Sequence, residues 1–98
     1  MPTLATSTGA VQFINRNRLR RSFIVQNEDA AIAVFVKRER TATPTVSSTD
    51  HDHRLAAGGI LFLNSDTDGK EAIQDRWTVI AASGTPLISS FETEDIER

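Results

Sequence analysis

Short runs of alternating apolar and polar residues, each closed by turn-forming residues, are the feature of this 98-residue chain that most limits its fold. Successive side chains of a β-strand point to opposite faces, so such a run predicts a strand with one face on a core. The run at 19–26 places Ile24 and Gln26 on one face and Phe23 and Val25 on the other. Further runs rich in strand-forming residues lie at 11–14, 30–37, 54–64, 76–81 and 87–92. We therefore expect an all-β fold, either a small antiparallel β-sandwich or a jelly-roll-like barrel of six to eight short strands.

The length and the ends of the chain predict its domain organisation. About 100 residues supply one hydrophobic core, which we place at residues 11–92. Residues 1–10 carry no charge and no apolar periodicity, which predicts an extended N-terminal arm that is either frayed or laid on a partner. Residues 93–98 are rich in acid, and we expect them to form a frayed C-terminal tail.

Composition excludes several classes of protein. The chain contains no cysteine, which removes disulfides, thiol nucleophiles and cysteine-ligated zinc or iron–sulfur sites, and which fits a reducing cytoplasm. No apolar run approaches the roughly 20 residues that a membrane span needs. The first ten residues also lack the basic and apolar regions of a secretory signal. We expect no membrane partner and no export.

The net charge of −2 hides a separation of charge along the chain. Residues 16–40 hold seven basic and three acidic residues, whereas residues 64–98 hold three basic and eight acidic residues. The two segments either lie together in the fold, where their charges cancel, or form a bipolar surface that fits another copy or another protein. Most of the basic residues are arginines, whose planar guanidinium suits ion pairs at interfaces.

No motif supplies the frame of a catalytic or metal site, so we expect a protein that is not an enzyme and binds no cofactor. The Asp-His-Asp-His run at 50–53, in a long loop at 41–53, offers two histidines where zinc needs three or four ligands. The segment at 66–71 lacks the full calcium-loop pattern and predicts a plain turn. Ser83-Gly84-Thr85 lacks the leading glycine of a nucleophile elbow, and the Gly58-Gly59 pair is no phosphate-binding loop.

Nucleic-acid and sugar binding have weak support in the sequence. Arginines with Phe13, Phe23 and Phe35 as stacking partners would fit a nucleic acid, but the chain is acidic overall and phenylalanines in apolar strands usually belong to the core. We expect no nucleic-acid partner. Trp77 offers an obvious sugar platform, but Val79 shares its face, which predicts that Trp77 is buried.

The run from Asn17 to Asn27 resembles the N-x-x-R-R-S-x-x-I-x-N opening of many small virion proteins of tailed bacteriophages. As in those proteins, a hydrophobic strand follows at 31–36 and a G-G-x-x-x-L segment at 55–63. A strand, an S-G-T turn and a final strand ending in acid then occupy 77–92. The order and spacing of these motifs carry the resemblance, which covers residues 11–92.

This resemblance implies a capsid decoration or cement protein, assembled in the host cytoplasm and located on the outer surface of the head. Such a protein binds the major capsid protein and stabilises contacts between its subunits, as a homo-oligomer for which a trimer is favoured. The alternative is an accessory module of a head fibre, tail or head–tail connector that binds another virion protein or a host-surface glycan.

For this role we expect the partner interface to lie in the uncharged arm and in the arginine-rich strands. An arm that becomes ordered on a shell contributes many small contacts, and arginines contribute polar contacts that repeat across a symmetric lattice. The expected interface residues are Thr3, Leu4, Thr6, Arg16, Arg18, Arg20, Arg21, Arg38 and Arg40.

Overall fold

The computed structural model describes residues 3–15, 17, 20–39, 43–64 and 69–94, and this part of the chain forms eight strands and one short helix. The elements are β1 (Thr3–Ala5), β2 (Val11–Ile14), β3 (Arg20–Asn27), β4 (Val34–Glu39), β5 (His53–Leu55), β6 (Ile60–Asn64), α1 (Lys70–Gln74), β7 (Arg76–Ala81) and β8 (Leu87–Glu94). The predicted all-β fold of six to eight short strands is confirmed. In the described ranges no helix has the length and apolarity to cross a membrane.

The strands form two antiparallel four-stranded sheets. The first sheet has the order β1-β8-β3-β6, and the second sheet has the order β2-β7-β4-β5. The first strand pairs with the eighth, the second with the seventh, the third with the sixth and the fourth with the fifth. This nesting is the connectivity of a jelly roll, in which one long hairpin is folded over into two packed sheets.

The core lies between the two sheets and follows the predicted alternation. Phe23 and Val25 of β3 are fully buried, whereas Ile24 between them faces outward and is only partly buried. Val34 and Val36 of β4 meet them from the second sheet, together with Val79 of β7. Burial of a side chain of this size stabilises the fold by roughly 1.5–3 kcal/mol.

Trp77 closes one end of the core and is buried, as predicted, with 3% of its surface exposed. Its Nε1 donates a hydrogen bond to the backbone oxygen of Ala72 in α1 at 2.9 Å. Its ring meets that of Phe23 edge-on at 5.3 Å and stacks with that of His53 at 6.1 Å between centroids. With its face and its N–H both engaged inside the fold, Trp77 does not form a sugar platform.

The first residues of the chain belong to the first sheet. The segment Thr3–Ala5 pairs with β8, and Leu4 packs against the core. Thr6 is 1% exposed, and its Oγ1 donates to the backbone oxygen of Pro86 at 2.6 Å. The described part of the segment predicted as an arm thus contributes a strand to the first sheet. It is extended, but β8 presents free backbone groups along its edge, and an extended segment satisfies them by pairing.

The C-terminal boundary also lies further along the chain than predicted. The strand β8 continues to Glu94, and Thr93, which was expected to begin a frayed tail, pairs with Ser22 of β3. The Ser22 and Thr93 hydroxyl oxygens are hydrogen-bonded at 2.6 Å. The remainder of the predicted tail, residues 95–98, lies outside the described residues.

Candidate functional site

The outer face of the second sheet is covered along β4 by a loop of the same chain. The loop at 43–52 connects β4 to β5 and lies along the outer side of β4. Its Val46 is buried, and the ring of His51 packs against that of Phe35 with 4.6 Å between centroids. Phe35 faces outward from β4 but is only 9% exposed. This apolar side chain of the outer face is thus shielded from water by the loop.

A buried carboxylate and an ion pair hold this loop on the sheet. Glu39 at the end of β4 is 4% exposed and accepts hydrogen bonds from the backbone N–H and the hydroxyl of Thr45 and from the hydroxyl of Thr78. Lys37 Nζ donates to Asp50 Oδ2 at 2.7 Å, and this hydrogen bond raises the pKa of Lys37 above its ordinary value of 10.5. The long loop is therefore tied to β4 at several points.

The Asp-His-Asp-His run at 50–53 does not converge on a common point. Its first two residues make the contacts with β4 given above. Asp52 accepts a hydrogen bond from the backbone N–H of Arg38 at 2.8 Å, and His53 stacks on Trp77. Within the described ranges, no group of three or more His, Asp or Glu residues is arranged to hold a metal ion. Of the segment at 66–71, predicted as a plain turn rather than a calcium loop, residues 66–68 lie outside those ranges and residues 70–71 begin α1.

The arginine-rich motif at 17–27 ends in β3, and its Arg20 stabilises the fold. The residue is 2% exposed, and a register shift between Arg20 and Ser22 turns its side chain into the interior. The guanidinium donates hydrogen bonds to the Glu92 carboxylate and to the backbone oxygens of Asn15, Ile73 and Asp75. One side chain thereby joins β8, the residue that follows β2, and the end of α1 with the residue after it.

The other end of the motif, Asn27, is fully buried and has a similar role. Its Nδ2 donates to the backbone oxygens of Ile32, Leu55 and Ala56 at 2.8, 3.1 and 3.2 Å. Its Oδ1 accepts the backbone N–H of Asp29 at 3.1 Å. The Asp29 carboxylate accepts the backbone N–H groups of Ala31 and Ile32, and these hydrogen bonds lower its pKa. The motif thus fixes both ends of β3 inside the sandwich.

Several residues expected at a partner interface have structural contacts instead. Thr6 and Arg20 are buried, so neither is accessible to a partner in this structure, and Leu4 is half-buried against the core. Hydrogen bonds inside the fold satisfy the polar groups of Thr6 and Arg20, and the interface expected at these positions stays a prediction. Arg21 is exposed on β3. The side chain of Thr3 and the residues Arg16, Arg18 and Arg40 lie outside the described part of the chain.

Opposite charges from the two segments of the chain meet in the fold. Arg20 pairs with Glu92, and Arg38 Nε lies 2.6 Å from Asp75 Oδ2. Each pair joins a basic residue of 16–40 to an acidic residue of 64–98, because β3 lies beside β8 and β4 lies beside β7. These contacts support cancellation of charge within the molecule rather than a bipolar surface.

An apolar surface covers the outer side of the first sheet. Ile24 pairs with Phe62 on β6 and with Phe91 on β8, so the three side chains form a row across neighbouring strands. Ile60 and Leu87 lie on the same face of β6 and β8. The exposed fractions are 62% for Ile60, 53% for Phe62, 48% for Leu87 and 51% for Phe91. We call these five residues the open face.

The polar residues that share this surface carry no charge. At the outward positions that pair across β3, β6 and β8 they are Ser22, Gln26, Asn64, Ser89 and Thr93. Ser89 Oγ is buried and has no hydrogen-bond partner among the described residues. A solvated face of an antiparallel sheet is usually polar, whereas contiguous exposed apolar residues mark an interaction site. The open face is therefore the candidate functional site.

A cleft of about 600 Å³ adjoins the open face at the end of the sandwich. Phe13, Phe23 and Phe91 supply apolar walls, and Arg20 and Glu92 also line the cleft. Arg20 directs its hydrogen bonds to protein oxygens. Because Phe91 belongs to both surfaces, the cleft extends the open face around the edge of the sandwich.

The open face was not predicted from the sequence, although two apolar runs indicate it. The runs Phe23-Ile24-Val25 and Ile60-Leu61-Phe62-Leu63 are continuously apolar. In an antiparallel sheet, a strand with one solvated face alternates between apolar and polar residues, so an unbroken apolar run indicates that both faces are apolar. One face of these strands builds the core, and the other remains exposed.

No protein-family model matches the chain, and neither the curated proteins nor the solved structures include a significant match. Its fold and candidate site define it as a small jelly roll in which a loop covers part of the outer face of one sheet and the outer face of the other exposes a row of apolar side chains.

Proposed function

We propose that this protein is a structural component of a bacteriophage virion, a decoration or cement protein on the outer surface of the head. It binds the major capsid protein as a homo-oligomer and stabilises contacts between neighbouring subunits. It is assembled onto the virion in the host cytoplasm, and its action consists of binding rather than catalysis.

The open face is the observation that carries this proposal. A protein whose role is to hold other proteins together needs a surface whose burial is favourable. Burial of exposed apolar side chains lowers the free energy of association by about 25 cal/mol for each Å². Phe62 and Phe91 are half-exposed aromatic side chains, the residue type most enriched at interface centres. The hydrophobic effect therefore favours association through this surface.

The jelly-roll fold and the sequence resemblance support the same proposal. Jelly rolls recur in viral capsid proteins and in sugar-binding domains, so the fold alone does not choose between those roles. The resemblance of 17–27 and of the later motifs to small phage virion proteins favours the capsid. Trp77, the sugar platform considered from the sequence, is buried. Many identical sites on a head allow weak individual contacts to hold firmly through avidity.

Copy number and head stability test this function. We expect purified particles of the phage that encodes this chain to carry hundreds of copies, and heads lacking it to rupture at a lower temperature than heads to which it has been added back. Quantitative mass spectrometry gives the copy number, and release of DNA during heating gives the rupture temperature. A few copies for each particle would assign the protein to a fibre, tail or connector, and an unchanged rupture temperature would rule out a cement role.

A further inference from the structure

We propose that the open face of one chain binds the open face of a second copy, so that the protein forms a dimer with its two first sheets packed face to face. This inference rests on the assembly role proposed above and identifies the partner that covers the apolar surface. Sheets that pack in this way lie about 10 Å apart, with their strands within about 30° of one another.

The area of the open face matches what a stable dimer needs. At about 200 Å² for each large side chain, the four half-exposed residues Ile60, Phe62, Leu87 and Phe91 present about 400 Å². A specific interface buries about 800 Å² on each partner, of which roughly 55–65% is apolar. The open face therefore supplies most of the apolar part of one such interface. Uncharged neighbours such as Gln26 and Asn64 supply polar area.

The absence of charge on this surface favours a second copy over a different partner. When a surface meets itself across a two-fold axis, any charge on it faces a like charge near the axis, which is unfavourable. The outward positions that pair with one another across β3, β6 and β8 hold no charged residue, although the chain as a whole is 24% charged. The exposed charges of Arg21 and Glu94 lie beyond them, where β3 begins and β8 ends. Two copies of the open face can therefore pack against each other without bringing like charges together.

On the second sheet, an apolar side chain of the outer face is covered by a loop of the same chain. Phe35 points away from the core and is shielded by the loop at 43–52, which Glu39 and Lys37 hold in place. The described residues supply no such cover for the first sheet, whose Phe62 remains 53% exposed. A second copy provides this cover. The contact is isologous and closes after two chains, in place of the trimer implied by the resemblance.

Sedimentation equilibrium of the free protein tests this inference. We expect the wild-type chain to approach twice its mass of 10.8 kDa at tens of micromolar and to remain dimeric in about 1 M NaCl, because salt screens charges but does not weaken apolar contacts. Phe62→Lys places like charges in the interface and is expected to raise the dissociation constant at least tenfold. Ile60→Lys, at the more exposed start of β6, is the second variant. The matched control is Val11→Lys, an exposed apolar residue on the second sheet.

The outcome separates this inference from the proposed function. Circular dichroism and thermal unfolding first establish that each variant is folded. A dimer that dissociates in the folded open-face variants and persists in Val11→Lys supports the inference. A wild-type monomer, a trimer, or a dimer unaffected in a folded open-face variant overturns it. Co-sedimentation with heads is measured in parallel: a monomer that binds heads through Phe62 refutes the dimer and leaves the capsid role intact, whereas a dimer that binds no head refutes only the capsid role.

Discussion

Arg20 shows how a charged side chain is accommodated in the interior of this small sandwich. Removal of a guanidinium from water costs several kcal/mol unless its N–H groups find acceptors. Four hydrogen bonds to three backbone oxygens and one carboxylate meet that need. The bond from Arg20 Nε to the Glu92 carboxylate is charge-assisted and stronger than a bond between neutral groups. The residue therefore acts as a cross-link between parts of the chain that are distant in sequence.

Substitution of Arg20 by methionine is expected to lower the free energy of unfolding by about 3 kcal/mol or more, because it leaves buried backbone oxygens without donors. Glu92 keeps access to water, since 42% of its side chain is exposed, and so contributes less to the loss. Urea denaturation followed by circular dichroism measures the change. Arg21→Met, at the exposed neighbouring position, is the matched control and is expected to change stability by less than about 0.5 kcal/mol. Equal stability of the two variants would contradict a structural role for Arg20.

Strands whose residues alternate regularly between the core and the outer side could be predicted from the sequence. Strands whose place depends on pairing with a distant segment could not. The strand β3 follows its predicted faces because Phe23, Ile24 and Val25 alternate between the core and the outer side. The place of β1 was missed because a three-residue uncharged strand has no pattern of its own, and its partner is some 80 residues away. The burial of Arg20 was not predictable because a register shift in β3 reverses the direction of its side chain, which no local pattern reveals.

The loop between β4 and β5 is held on the sheet by side-chain contacts and by a backbone hydrogen bond from Asp52 to Val36. Lys37 and Asp50 form one such contact, with Nζ and Oδ2 2.7 Å apart. Because the contact raises the pKa of Lys37, its contribution to stability is fully present below the ordinary value of 10.5 and is lost as the pH rises through the raised value. The titration of Lys37 therefore does not change the attachment of the loop near neutral pH.

Replacement of Asp50 by asparagine is expected to return the pKa of Lys37 towards 10.5, because it removes the carboxylate that favours the charged amine. Titration of the Lys37 side-chain NMR signals between pH 8 and about pH 12 measures the midpoint, which lies above 10.5 in the wild type. Asp29→Asn, at a carboxylate that bonds backbone N–H groups of another turn, is the control and is expected to leave this midpoint unchanged. An identical midpoint in wild type and Asp50→Asn would show that the pair does not form in solution.

Because the strand pairs of the jelly roll are nested, the architecture of the whole molecule implies an order in which these pairs form. The strands β4 and β5 form the innermost pair, and β1 and β8 form the outermost, so the first strand cannot be placed until the last has been made. Pairings between distant segments carry the highest loop-closure cost, and they slow the folding of all-β proteins. The contact of β1 with β8 is therefore expected to form after the folding transition state.

Thr6→Ala tests this order, because it removes the hydroxyl that bonds Pro86 beside β1 while leaving the backbone hydrogen bond between the same residues. We expect a loss of about 1–2 kcal/mol. A contact absent from the transition state changes only unfolding, so the unfolding rate should rise roughly 5- to 30-fold while the folding rate changes less than about twofold. Stopped-flow folding and unfolding in urea measures both rates. Val36→Ala, in the inner strand β4, is the comparison and is expected to slow folding. If Thr6→Ala instead slowed folding by the whole amount, closure of β1 on β8 would belong to the nucleus, and assembly of the jelly roll would begin at its outermost pair.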